Sequence, residues 1–278
     1  MKPGLLVISH GSRDAGWVSL VDETIEMVRA RIGHAVTIEA AFLELVEGRL
    51  IQDGLDRLAR AGVTRVLAVP LFVSSGSTHA DEIGWALGAY SVARTETELD
   101  QFLIPDGMSL SYGHPMDDAP ELIGIVADRL RAMSVDCSRE SVLLIGHGSE
   151  EEGFQQAWNK GLHAVADLVA KLGGYIGYET ALLLPDEVPE KLRKLKAARP
   201  GDRVLVMALF LSEGYFTKEV VPRRLASSAL DDDYVYAGLA LMPHDNVAAW
   251  IVRQAAEWIS TVKEEGIWLG QDSGTVDL

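Results

Sequence analysis

Three residues near the start of the chain carry side chains able to hold a metal ion: His10, Glu44 and His79. Each follows an apolar run. His10 ends "LLVISH", Glu44 ends "EAAFLE", and His79 lies in "PLFVSSGSTHADEI". A carboxylate after a mostly apolar run is costly to bury unless it is paired or bound to a cation. Two imidazoles and one carboxylate form a facial set for Co2+, Fe2+, Ni2+ or Zn2+, with coordination positions left open. No compact motif such as HExxH fixes their geometry, so convergence depends on the elements that carry them. Plainer readings stand beside this one. His10 can be a turn residue, Glu44 an outward loop residue beside Glu47, and His79 an exposed residue of a first helical turn. Asp81 and Glu82 read as acids at a helix N-terminus, favoured there by the helix dipole.

Those elements are legible as alternation. Short apolar runs predict strands at Gly4–Ser9, Val36–Leu43, Arg65–Phe72 and Ser109–Gly113. A second set is predicted at Val142–Gly146, Ile176–Leu183, Arg203–Phe210 and Tyr234–Met242. Helical spacing lies between them, as in Ala15 to Ile32, with Val18, Val21, Ile25, Val28 and Ile32 on one stripe. Strands alternating with helices imply parallel sheets covered on both faces. Ligands in such sheets bind beyond the carboxyl ends of the strands. His10, Glu44 and His79 sit there, on three consecutive strands, and meet if those strands are neighbours.

The chain also repeats itself. "VISHGSRD" pairs with "LIGHGSEE", bringing His10 onto His147 at an offset of 137. "VTRVLAVPLFVSSG" pairs with "GDRVLVMALFLSEG", bringing Phe72 onto Phe210 and Gly76 onto Gly214 at an offset of 138. The expected architecture is therefore two similar α/β lobes, each a roughly four-stranded parallel sheet flanked by helices, with a cleft between them. Residues 1–137 make the first lobe, 138–262 the second, and 263–278 a tail in which Ile267, Trp268 and Leu269 form a possible anchor. Gly11 and Gly148 allow a tight turn and close approach, and Ser12 and Ser149 are expected to cap the helices that follow.

The second lobe keeps His147 but not the other two groups. Leu184 stands at the position of Glu44, and Phe216 or Thr217 at that of His79. What it offers instead is "GYFTKEVVPRRL": the aromatics Tyr215 and Phe216 and the cations Lys218, Arg223 and Arg224. Aromatics with cations suit a flat, polycarboxylated ligand. His114 and His244 read as structural turn residues, with Asp118 and Asp245 as caps of the next helices.

Composition narrows the class. The 278 residues are 48% apolar, enough for large cores, and the formal net charge is −16 with a pI of about 4.8. Such a surface repels nucleic acid and anionic membranes. Cys137 is the single cysteine, so an intrachain disulfide and a cysteine-based zinc cluster are excluded. The first apolar run, Leu5 to Ile8, is too short for a signal peptide or a membrane span. A soluble cytoplasmic protein is expected, acting as a monomer or homodimer. No GxxxxGK[ST] occurs, so no nucleotide is implied.

"LLVISHGSRD", "AAFLELVEG" and "VPLFVSSGSTHADEI" resemble the class II tetrapyrrole chelatases that insert a metal into sirohydrochlorin, of the CbiX and SirB type. "IGHGSEE" and "ALFLSEGYFTKEVVP" resemble a second copy, so the likeness is to the long, two-lobed form and runs from Leu5 to about Met242. It implies ATP-independent insertion of Co2+ or Fe2+, with Ni2+ also conceivable, in cobalamin or siroheme biosynthesis. It implies His10, Glu44 and His79 as metal ligands, with His10 accepting a proton as the metal is handed over. Where the family often has one residue between the glycine and the histidine, this chain has Ser77 and Thr78. The substrate's eight carboxylates make Arg13, Lys218, Arg223 and Arg224 candidate contacts. Closure of the lobes would bend the macrocycle. Two other classes remain: a metal or tetrapyrrole carrier without catalysis, and an enzyme whose His-Gly-Ser turn binds a phosphorylated metabolite at a helix N-terminus. Glu44 opposes the latter, since it would repel an anion.

Overall fold

The computed structural model describes residues 2–230 and 234–264. The tail from residue 265 onward, including the possible anchor, lies outside them. The chain begins with β1 (Pro3–Ser9), α1 (Ala15–Ile32), β2 (Thr37–Phe42), α2 (Ile51–Arg60), β3 (Arg65–Pro70), α3 (Thr78–Ala86), β4 (Ser109–Tyr112) and α4 (Pro120–Met133). It continues with β5 (Glu140–Gly148), α5 (Glu152–Gly173), β6 (Gly177–Leu184), α6 (Val188–Ala198), β7 (Arg203–Ala208), α7 (Val221–Ala226), β8 (Tyr234–Tyr236) and α8 (Asp245–Glu264).

The strands form two four-stranded parallel sheets, ordered β2-β1-β3-β4 and β6-β5-β7-β8. The expected pair of parallel α/β sheets is thus observed. The order follows from hydrophobicity. Every residue of β1 is buried, as the central strand of a sheet covered on both faces must be. β5 is buried the same way except at His147. One face of the first sheet packs Leu6, Ile8, Ala41 and Ala68 with Leu55 and Leu58 of α2 and Ile83 of α3. The second sheet repeats this with Leu143, Ile145, Ala181 and Val206 against Leu192 of α6 and Leu225 of α7.

The helix boundaries show local physics overriding expectation. α1 spans the predicted Ala15–Ile32, but its cap is Asp14, whose Oδ1 accepts the Gly16 N–H at 2.8 Å. Ser12 stands two residues earlier and accepts the Asp14 N–H at 3.0 Å. Ser149 likewise accepts the Glu151 N–H at 3.2 Å, ahead of α5 rather than at its cap. The residue before α4 is Ala119, with Pro120 opening the helix, so Asp118 caps nothing. Asp245 is already helical, and His244 supplies the acceptor, Nδ1 taking the Asn246 N–H at 3.1 Å. β8 stops at Tyr236, short of the expected Met242, because Gly238 takes a positive φ of 66°.

The chain forms two compact units, and they are not consecutive halves. Among the described residues, the first comprises 2–72, 78–115 and 247–264; the second comprises 73–77, 116–230 and 234–246. Each unit keeps one sheet, as the repeat implies, but the outer helices are exchanged relative to a cut at residue 137. α4 packs on β7 and α5 of the second unit, burying Leu122, Ile125, Val126 and Leu130. α8 returns to the first unit. There the Gln254 amide accepts the His114 N–H at 2.8 Å and donates to the His114 carbonyl at 3.2 Å, and Trp258 Nε1–H donates to Ser111 Oγ at 3.1 Å. β4, the short edge strand of the first sheet, thus takes a helix from the C-terminal segment, through Trp258 on Ser111.

Candidate metal centre

Strand order decides whether the candidate ligands meet. β1 lies between β2 and β3, so the residues that follow these three strands share one end of the first sheet. His10 comes directly after β1. The β1–β2 pairing runs on beyond both strands: Leu43 N–H donates to the Ser9 carbonyl at 2.9 Å, and Glu44 N–H to the His10 carbonyl at 3.1 Å. Gly11 makes this approach possible. Its φ is +104°, and a Cβ there would fall well inside 3.0 Å of the Glu44 carbonyl oxygen. Gly148 plays the same part in the second sheet, at φ +81° against the Leu184 carbonyl. The glycine of each His-Gly-Ser therefore lets the histidine's chain run flush against the neighbouring strand end.

The side chains follow from that backbone. His10 Nδ1 stands 3.6 Å from Glu44 Oε1 and 3.3 Å from the Gly11 carbonyl oxygen. His79 is the second residue of α3, and its ring lies edge-on to His10 with centroids 4.6 Å apart. The glutamate and His10 side chains are about half exposed, at 51% and 40%. The His79 side chain is open to a similar degree, but its Nδ1 is buried without a hydrogen-bond partner, and Glu82 Oε2 lies 3.7 Å from it. Burial, and secondarily the neighbouring His10, hold the His79 imidazole below its ordinary pKa, while Glu82 pulls the other way. A neutral His79 keeps a ring lone pair for a cation. Among the described residues, no three His, Cys, Asp or Glu side chains form a ready-made metal cage. What the fold supplies is pairwise proximity, with Glu44 on an open loop.

Asp81 is a first-turn acid of α3, as expected, but it also does something the sequence did not show. Its side chain is 1% exposed and holds the segment after α3. The Arg94 guanidinium donates to Oδ1 at 2.6 Å, the Arg94 N–H donates to Oδ2 at 2.8 Å, and the Tyr90 hydroxyl donates to Oδ1 at 3.1 Å. Sequence reasoning also passed over Glu82 as a partner of His79. The i,i+3 spacing of the two was the available signal.

The second unit shows what replaced the set. Leu184 occupies the position of Glu44, beside Gly148. Phe216, rather than Thr217, takes the place of His79: its ring lies 5.0 Å from His147 and stacks on Phe210 at 5.2 Å. A π-helical turn, Phe216–Val220, sets this register. Thr217 instead turns inward and accepts the Gly214 N–H at 2.9 Å. Of the four cations expected to meet a carboxylated ligand, Arg13 and Arg223 are exposed. Lys218 pairs with Glu213 at 3.4 Å and Arg224 with Asp186 at 3.0 Å.

A duplicated parallel α/β scaffold with histidines and a carboxylate gathered at the strand ends of one copy defines the class: a two-lobed protein of chelatase-like fold. The CbiX family model matches it twice, over residues 4–133 and 141–258, and the chain belongs to the CbiX family. It is 28% identical over 156 residues to the sirohydrochlorin ferrochelatase of Bacillus subtilis, across 54% of this chain and 53% of that protein. The matched part thus spans about half the length of that relative. It is 25% identical over 143 residues to the sirohydrochlorin cobaltochelatase of Methanococcus maripaludis, across 46% of this chain and 98% of that one. The fold is that of SirB from Bacillus subtilis with Fe3+, at a TM-score of 0.72 and 20% identity, covering 96% of this chain and 98% of SirB. Among the described residues, no helix is long and apolar enough to cross a membrane.

Proposed function

We propose that this protein inserts a divalent metal, Co2+ or Fe2+, into sirohydrochlorin without a nucleotide, as a soluble cytoplasmic enzyme. The observation that carries the reading is the approach of Glu44, from the loop after β2, and His79, from the start of α3, to His10 after β1, in a chain of the CbiX family. The metal is a substrate here, so it must be gripped and then released. An open set without a preformed cage suits that task better than a closed four-ligand site, which holds its ion permanently.

The chemistry then follows from the side chains. His10 and His79 present ring nitrogens to the ion, and Glu44 supplies an oxygen from a loop that can follow the ion as it leaves. Insertion displaces two pyrrole N–H protons. His10 takes one as its bond to the metal breaks, its imidazole acting as a general base. Glu44, freed of the ion, takes the other. Arg13 on the first unit is a candidate contact for a carboxylate of the substrate; on the second unit Arg223 is exposed, and Lys218 would serve only by exchanging its partner Glu213. Arg224 would do so only by exchanging its internal partner Asp186. Tyr215, 65% exposed, and Phe216 give a flat ring an aromatic surface.

The test is an anaerobic absorbance time course with sirohydrochlorin and Co2+, then Fe2+, comparing wild type with His10→Ala. Wild type accelerates the metal-dependent spectral change and His10→Ala, with an unchanged fold, does not. Equal rates for both at the uncatalysed level would make the protein a carrier and end the enzymatic reading.

A further inference from the structure

His79 poses a problem that the ligand set alone does not solve. A neutral imidazole carries one N–H and one lone pair, and which nitrogen has which depends on what the ring can donate to. His10 has an internal acceptor beside its Nδ1, the Gly11 carbonyl at 3.3 Å, and His147 has the same arrangement with Gly148 at 3.0 Å. Each leaves Nε2 as the free donor of a lone pair. His79 lies on a helix and has no such carbonyl. Its Nδ1 is buried and without a partner. Leaving a buried polar nitrogen unsatisfied costs about 1–3 kcal/mol.

The residue placed to supply the missing acceptor is Glu82. It stands one turn further along α3, where i,i+3 side chains share a face. Its Oε2 is 3.7 Å from His79 Nδ1, and its side chain is 16% exposed, so it has few solvent partners to compete with. The separation is just beyond a hydrogen bond.

We infer that Glu82 is a positioning residue. It accepts a hydrogen bond from His79 Nδ1–H, fixes the ring's orientation, and leaves Nε2 of His79 to the metal. The two histidines then present matching nitrogens to one ion, each held from behind by a different kind of acceptor. Carboxylates in this relation to ligating histidines are a general device, and their loss typically weakens metal binding about 10–100-fold. The inference rests on His79 being a ligand, as proposed above.

The experiment uses the full chain and Co2+ alone, titrated by its visible absorption, with wild type, His79→Ala, Glu82→Ala, Glu82→Met and Glu82→Gln. Glu82→Met keeps the volume and helix propensity should Glu82→Ala fold poorly. Ring 15N spectra of the metal-free proteins report the His79 tautomer. His79→Ala, Glu82→Ala and Glu82→Met are expected to weaken Co2+ binding about 10–100-fold. Glu82→Gln, whose amide oxygen accepts the same bond, stays within a few-fold of wild type. The His79 spectrum moves away from a pure Nδ1–H form only when the acceptor is lost. If His79→Ala weakens Co2+ binding while Glu82→Met does not, or if Glu82→Gln is as weak as Glu82→Met, the role assigned to Glu82 is wrong. If His79→Ala leaves Co2+ binding unchanged, the ligand set proposed above is what fails.

Discussion

Gly11 and Gly148 offer a matched pair of perturbations, because they occupy equivalent places in two sheets that differ in chemistry. Alanine at either position meets two penalties. The backbone is held at φ +104° or +81°, where an L side chain is strained by about 1–3 kcal/mol. The new Cβ also enters the shell of a backbone carbonyl oxygen, Glu44 or Leu184, which cannot rotate away as a side chain would. Overpacking of that kind costs typically ~1–3 kcal/mol more. Both variants should therefore lose roughly 2–6 kcal/mol in urea unfolding followed by circular dichroism. Their effect on metal should differ. Relief of the clash in Gly11→Ala pushes Glu44 away from His10, so Co2+ affinity should fall at least about tenfold, as it does when ligands lose their support. Relief in Gly148→Ala moves only Leu184, and Co2+ affinity should stay within about twofold of wild type. A Gly11→Ala protein as stable as wild type would refute the close-approach argument. Equal loss of Co2+ binding in both variants would refute the assignment of the site to the first sheet.

Two further outcomes follow from buried polar groups. Asp81→Ala should cost about 1.5–3 kcal/mol, since it strips two acceptors from Arg94, while the Tyr90 hydroxyl keeps the Asp81 backbone carbonyl. It should expose residues 88–107 to limited proteolysis, and an unchanged cleavage pattern would show that Asp81 does not anchor that segment. Burial, and secondarily Glu213, pushes the Tyr236 hydroxyl from 10.0 up to about 12. The unfolded tyrosine loses its proton first, so the stability tied to Tyr236 is complete below pH 10 and is lost as pH rises towards 12. Tyr236→Phe should flatten the pH dependence of unfolding across that window, though it also removes the hydrogen bond to the Thr217 carbonyl. The same slope in both proteins would assign the alkaline loss to other groups.

Much of this architecture was visible in the sequence because burial leaves a pattern. The runs around Leu5–Ile8 and Val142–Ile145 are uniformly apolar because both strands are central, and the repeat of His-Gly-Ser marks their equivalent ends. Placing His10 and Glu44 just past strand ends needed only the strand boundaries; His79 lies further on, in the first turn of α3, and its approach to His10 needed the order β2-β1-β3, which local sequence does not encode. Several of the misses turn on a partner away from the residue itself. Asp81 looks like a dipole-favoured acid until Arg94 folds back onto it. Phe216 and Thr217 cannot be told apart by counting, since a π-helical turn shifts the register there. The exchange of α4 and α8 is invisible to periodicity, because an amphipathic helix says that it covers a sheet but not which one.

That exchange sets an order of events during synthesis. The sheet made first, β1 to β4, stays short of its last helix until residues 247–264 have left the ribosome. The sheet made second has nearly everything it needs between residues 116 and 246, already translated by then. Domains tend to fold as units while the chain emerges. Here the earlier-born sheet must wait with β4 uncovered, and the later-born one is finished before it.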